Sequence, residues 1–134
     1  MKIKTIFWIA IICSTIQVMP LVVSFFSPDF KLMLISDVMG DSPSTGAITM
    51  FDQFIVVVGF AAIGFIAVIF GALSFNDIET LRKISFLFFV YAGFWALPDV
   101  VSAIKGDPTA PLLVIILGLV QMGLFLYSAK KGTV

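Results

Sequence analysis

Histidine is absent from this 134-residue chain, cysteine occurs once, and charged residues make up only 12%. Each shortage closes a class of function. Without histidine there is no Ser-His-Asp triad, no His-ligated haem or zinc and no imidazole proton relay. The lone Cys13 excludes an intrachain disulfide and a CxxC redox pair. Eight basic residues balance eight acidic ones, so no general attraction to nucleic acid is expected. A soluble domain carries about 25% charged and about 45–50% apolar residues. Here apolar residues reach 60% and the mean hydropathy is +1.16, values that exclude a soluble globule and a disordered chain alike.

What is present is hydrocarbon, in four blocks each long enough to cross a bilayer. The first runs from Thr5 to Ser27 and stops at Ser27-Pro28; as a helix it rises roughly 34 Å. Lys2 and Lys4 resemble the charged start of a signal peptide, but the apolar stretch exceeds the usual length and no small-x-small cleavage site follows. An uncleaved first span is therefore expected. The further blocks cover Phe51 to Ser74, Ile84 to Ile104 and Pro111 to Ser128. Residues 28–50 form the one long polar stretch. Its front half, Phe30 to Met39, spaces apolar residues for a short interfacial helix, and Gly40 to Gly46 reads as a turn-rich loop. That loop lacks the Lys and following Ser/Thr of a phosphate-binding loop. The expected fold is all-α: a single membrane domain over residues 1–134, with four transmembrane helices packed as an antiparallel bundle through short connections.

Four spans put both termini on one side. Lys2, Lys4, Arg82, Lys83, Lys130 and Lys131 fall on that side, and only Lys31 and Lys105 on the other. The positive-inside rule then makes both ends cytoplasmic. Asp29, Asp37, Asp41, Asp52, Asp99 and Asp107 lie outside or near it, which does not oppose that orientation. Trp8 and Tyr127, near cytoplasmic span ends, suit an interfacial aromatic belt.

Placing residues by depth brings out two polar groupings. Gln17, Trp95 and Gln121 fall near mid-membrane on spans one, three and four. An amide in hydrocarbon needs a partner, so these groups either bond between helices as glue or line a small ligand pocket. Asp52, beside Gln53 at the start of span two, and Asp99, after Pro98 late in span three, both fall near the outer interface. Close and shielded, two such carboxylates would raise one pKa and hold a proton or cation. The plainer reading has Asp52 capping its helix, Asp99 reaching outer water, and the two titrating independently. Pro20 and Pro98 each remove a backbone donor and predict kinks in the outer half. Ala61, Gly64, Ala67 and Gly71 form a small-residue stripe on span two, expected to pack within the chain or against another copy. Cys13, beside Ser14 and Thr15, has no base or cation nearby in sequence and reads as a buried small residue.

The Leu81-Arg82 pair before span three and the Gly106-Asp-Pro-Thr-Ala-Pro111 turn opening an aliphatic span four give the chain a layout that resembles the DoxX-like small four-helix bacterial membrane proteins. The likeness covers nearly the whole chain. Where relatives often place a basic residue late in span three, this chain has Pro98-Asp99. The resemblance implies a small inner-membrane bundle, sometimes a partner of other membrane proteins, without an agreed catalytic set.

These features favour a non-enzymatic accessory or interaction subunit of the plasma membrane, with no cofactor and no metal. Its expected partners are the bilayer and other membrane subunits or a second copy. The alternative is a binder or carrier of a small lipid-like molecule in a cavity around Gln17, Trp95 and Gln121. An enzyme would need a metal or cofactor held mostly by carboxylates, and Asp52 and Asp99 are too few to argue it.

Overall fold

The computed structural model describes residues 1–40, 42–106 and 110–134, and for residues 37–39 the backbone alone. The acidic side chains of Asp37, Asp41 and Asp107, and the centre of the expected turn before span four, lie outside the described residues. The fold is all-α, with α1 (Ile3–Phe26), α2 (Pro28–Met39), α3 (Thr45–Ala72), α4 (Ile78–Ile104) and α5 (Leu112–Lys131). Four of them, α1, α3, α4 and α5, are long and apolar enough to cross a membrane. The remaining helix, α2, is the short one expected in the first loop. Ser27 caps it by accepting from the Phe30 N–H at 3.3 Å, and Pro28 enters where no helical donor is needed.

Two helices start well before their apolar runs. Helix α3 begins at Thr45 rather than Phe51, because Ser44 Oγ accepts from the Ala47 N–H at 3.2 Å and caps it there. Helix α4 begins at Ile78 rather than Ile84, because Asp77 accepts from the Thr80 N–H at 2.7 Å. The hydrophobic runs mark where lipid is required; the caps mark where the helices start. Asp52 is therefore not a cap, as one sequence reading had it, but sits inside α3.

Hydrogen bonds to Thr80 and its backbone hold the Asp77 carboxyl below the usual carboxylate range. A depressed folded pKa means that the cap's contribution is present above the ordinary carboxylate pKa and fades as pH falls through the depressed value. Thermal unfolding in detergent is expected to occur at lower temperature in Asp77→Ala at pH 7. Asp77→Asn should retain part of the cap and lose this component of acid sensitivity. An Asp77→Ala melting curve equal to wild type at pH 7 would contradict the cap.

By contact the chain divides into two compact units, Met1–Cys13 with Ala67–Val134, and Ser14–Ile66. Helices α1 and α3 each pass from one into the other. The first unit contains α4 and α5, which run antiparallel along one another. Ser85 meets Ser128, Phe88 meets Phe125 and Arg82 meets Gly132, so each step along α4 is matched by an opposite step along α5. The buried residues Leu81, Ser85, Phe88, Ala92 and Ala96 on α4, and Ile115, Gly118, Gln121, Phe125 and Ser128 on α5, recur every three or four positions. That spacing draws one face of each helix into a seam. The start of α1 joins this seam through Phe7, which is fully buried and lies edge-on to Phe88 and Phe125 at centroid distances of 5.4 and 6.3 Å.

In the second unit the buried apolar side chains among the described residues are few. Val18 comes from α1, Ile35 from α2 and Ile55 from α3. Lys31 on α2 and Asp52 on α3 form an ion pair at 2.9 Å.

Candidate functional site

At one end of the first unit the two termini are fastened together. The Ile3 N–H donates to the Thr133 carbonyl at 2.8 Å, the Thr133 N–H returns a bond to the Met1 carbonyl, and Lys2 and Thr133 form a parallel bridge. The Met1 ammonium donates to the Tyr127 hydroxyl at 3.0 Å. Arg82 directs Nε and Nη2 at the Gly132 carbonyl, at 3.3 and 3.0 Å. Glycine is required at position 132 because a Cβ there would meet Ile3 Cγ1 at 2.5 Å and the Ser128 carbonyl at 2.6 Å. Lys4 reaches Asn76 at 2.8 Å, and Trp8 packs edge-on to Phe70. Lys2, Lys4, Arg82, Lys83, Lys130 and Lys131 thus all belong to the end of this unit where the chain begins and finishes. The two termini are adjacent at this end of the unit.

One turn deeper, the fully buried Ser85 and Ser128 hydroxyls lie 2.8 Å apart. Ser85 spends its only proton on the Leu81 carbonyl at 2.7 Å, so it accepts from Ser128. This polar pair, within the α4–α5 seam, was not singled out from the sequence. The signal was available: Ser85, Ala92 and Ala96 are small residues at seam spacing, as are Gly118 and Ser128.

The expected mid-membrane layer divides. Gln121 is buried, and its Nε2 donates to the Ala10 carbonyl of α1 at 3.4 Å, a long bond that ties α5 to α1. Trp95 is 41% exposed and stacks on Tyr91, so it does not share the buried setting of Gln121. Gln17 is half-buried on the part of α1 that belongs to the second unit. Gln121 bonds across to α1, and neither groove described below is lined by Gln121 or Trp95.

The carboxylates also differ. Asp52 is half-exposed and paired with Lys31, a counter-ion that the sequence reading, looking only within the spans, did not assign to it. Asp99 is half-buried in α4, in the other unit. Around Pro98 runs an open groove of about 560 Å³ lined by α4 alone, from Phe94 to Lys105. A second, of about 510 Å³, lies between α4 and α5 near the fastened termini.

The small-residue stripe on α3 faces outward. Ala61, Gly64, Ala67 and Gly71 are exposed, and a Cβ added at Gly64 or Gly71 meets nothing within 4 Å. The intramolecular seam expected there is formed instead by the small residues of α4 and α5. The reason is that residues 54–72 of α3 are apolar on every side, so side-chain size alone does not mark which face a neighbour will use. Cys13 is buried, in keeping with a packing role. Among the described residues no group of three or more acidic or Cys side chains is placed to hold a metal ion. Neither models of protein families, nor curated proteins, nor solved structures give a match to this chain.

Proposed function

We propose that this chain is a multi-pass protein of the bacterial inner membrane, with both termini cytoplasmic, that acts as a non-enzymatic accessory or interaction subunit like the DoxX-like proteins it resembles in layout. The observation that carries the reading is α3. It is the most apolar of the four long helices and the least covered by the rest of the chain, with 17% of its most apolar window buried. Its exposed stripe of Ala61, Gly64, Ala67 and Gly71 permits a close helix approach that a lipid tail does not need. The basic end at which the termini meet supports the orientation, since Lys and Arg favour the cytoplasmic side.

Purification in gentle detergent at native expression, followed by mass spectrometry, tests this reading. A stoichiometric membrane subunit or a second copy is expected to accompany the chain, and a strictly solitary chain would overturn it. Gly64→Leu should weaken that association by roughly tenfold, because a branched side chain blocks close helix approach. The same change should leave thermal unfolding of the chain unaltered, since the position has no neighbour to crowd.

A further inference from the structure

Near the fastened termini, the groove between α4 and α5 combines two chemistries. Its wall is hydrocarbon, with Phe86 and Leu87 from α4 and Leu126 from α5; its mouth carries Arg82, Lys83 and Lys130, and no acidic side chain lines it. The basic and apolar groups are one helical turn apart on each helix, roughly 6 Å along the axis. Phe86 and Leu87 are 52% and 64% exposed, so the apolar part opens outward from the helix pair rather than into the seam.

We propose that this groove seats one anionic phospholipid, with its phosphate among Arg82, Lys83 and Lys130 and an acyl chain along Phe86, Leu87 and Leu126. Charge complementarity selects the occupant. Cations clustered where a spanning helix leaves the hydrocarbon attract anionic lipid, each contributing to binding. A zwitterionic headgroup would bring its own cation against three others, and a soluble anion would leave the apolar wall unused.

The three cations are differently prepared. Arg82 is held by its two bonds to the Gly132 carbonyl, which fixes the guanidinium plane at the mouth before any lipid arrives. Lys130 makes no ion pair or hydrogen bond among the described residues. Lys83 is paired with Glu79 at 2.6 Å, with both side chains 73% exposed. An exposed pair of this kind contributes little and yields readily to a phosphate.

The proposal depends on the chain being a membrane protein, though not on an accessory role. Resistance of the membrane-bound chain to carbonate extraction checks that premise separately. The test itself uses the purified full chain in detergent, titrated with phosphatidylglycerol or phosphatidylcholine and read by native mass spectrometry. Phosphatidylglycerol is expected to bind about tenfold more tightly. The double variant Lys83→Gln/Lys130→Gln should lose that preference. Lys2→Gln/Lys131→Gln removes the same charge at the same end but outside the groove, and should keep it. Leu126→Trp should weaken phosphatidylglycerol binding with all three cations intact. No preference in the wild type, equal loss in both double variants, or undiminished binding in Leu126→Trp would each overturn the proposal.

Discussion

Replacing Phe125 with alanine is expected to destabilise the chain by about 3 kcal/mol, the low end of the range for buried phenylalanine in soluble cores. Phe125 is fully buried, with its ring 5.3 Å from that of Phe88 and 6.3 Å from that of Phe7. These three rings tie α1, α4 and α5 into one cluster. In a membrane, lipid surrounds the helices with hydrocarbon, so transfer out of water contributes less than it does in a soluble core. What Phe125→Ala removes is close packing: a void forms where neither lipid nor water enters, and the facing rings lose contacts on that side. Unfolding in mixed detergent micelles, followed by helical circular dichroism, gives the number. Phe94→Ala serves as the control, because that side chain is 76% exposed and its loss should change stability by less than about 0.5 kcal/mol. Equal effects at the two positions would mean that the aromatic cluster does not hold the helices together.

The second large effect is expected at Ser85, and it depends on size more than on hydrogen bonding. Ser85 accepts from Ser128 within the α4–α5 seam, and both residues are fully buried. Ser85→Ala removes the hydroxyl and should destabilise by about 0.6 kcal/mol, the average for an interhelical hydrogen bond in a membrane. Ser85→Leu instead forces the helices apart and should destabilise by about 1–3 kcal/mol. It should also loosen the contacts one turn away, where Arg82 meets the Gly132 carbonyl. Protease sensitivity of the segment after Lys131 should therefore rise in Ser85→Leu and stay unchanged in Ser85→Ala. A larger effect from Ser85→Ala than from Ser85→Leu would reverse this account and make the hydroxyl the main contact.

The spans were legible because bilayer insertion demands long apolar runs, and Thr5–Ser27 or Pro111–Ser128 satisfies no other architecture as simply. The helix starts at Thr45 and Ile78 were less visible: the first residues of α3 and α4 include Thr, Gly, Glu, Arg and Lys, which break the apolar runs, and hydropathy does not register a helix that continues beyond lipid. The caps that set them, Ser44 and Asp77, are ordinary Ser and Asp residues in a sequence with many turn formers. Which faces meet was harder still. In a soluble helix the apolar stripe points inward, but over residues 54–72 of α3 every face is apolar and the rule has nothing to compare. The stripe at Ala61, Gly64, Ala67 and Gly71 therefore looked like a seam and is exposed, while the true seam of Ser85, Ala92 and Ala96 passed unremarked. Gln121 is a buried amide whose acceptor is a backbone carbonyl, Ala10, which no side-chain pattern announces. Lys31 pairs with Asp52 because α2 brings it beside α3, a tertiary contact that no local pattern encodes.

The central claim is a membrane-crossing chain whose two ends meet on one side. Site-directed cysteine labelling in intact cells tests it most directly. Cys13→Ser removes the one native thiol, and single cysteines are then placed at Lys2, Lys131 and Lys105. With a membrane-impermeant maleimide, Lys105→Cys should be labelled in intact cells, and Lys2→Cys and Lys131→Cys only after the membrane is opened. Labelling of Lys2→Cys and Lys131→Cys from opposite sides, or of all three in intact cells, would contradict the account.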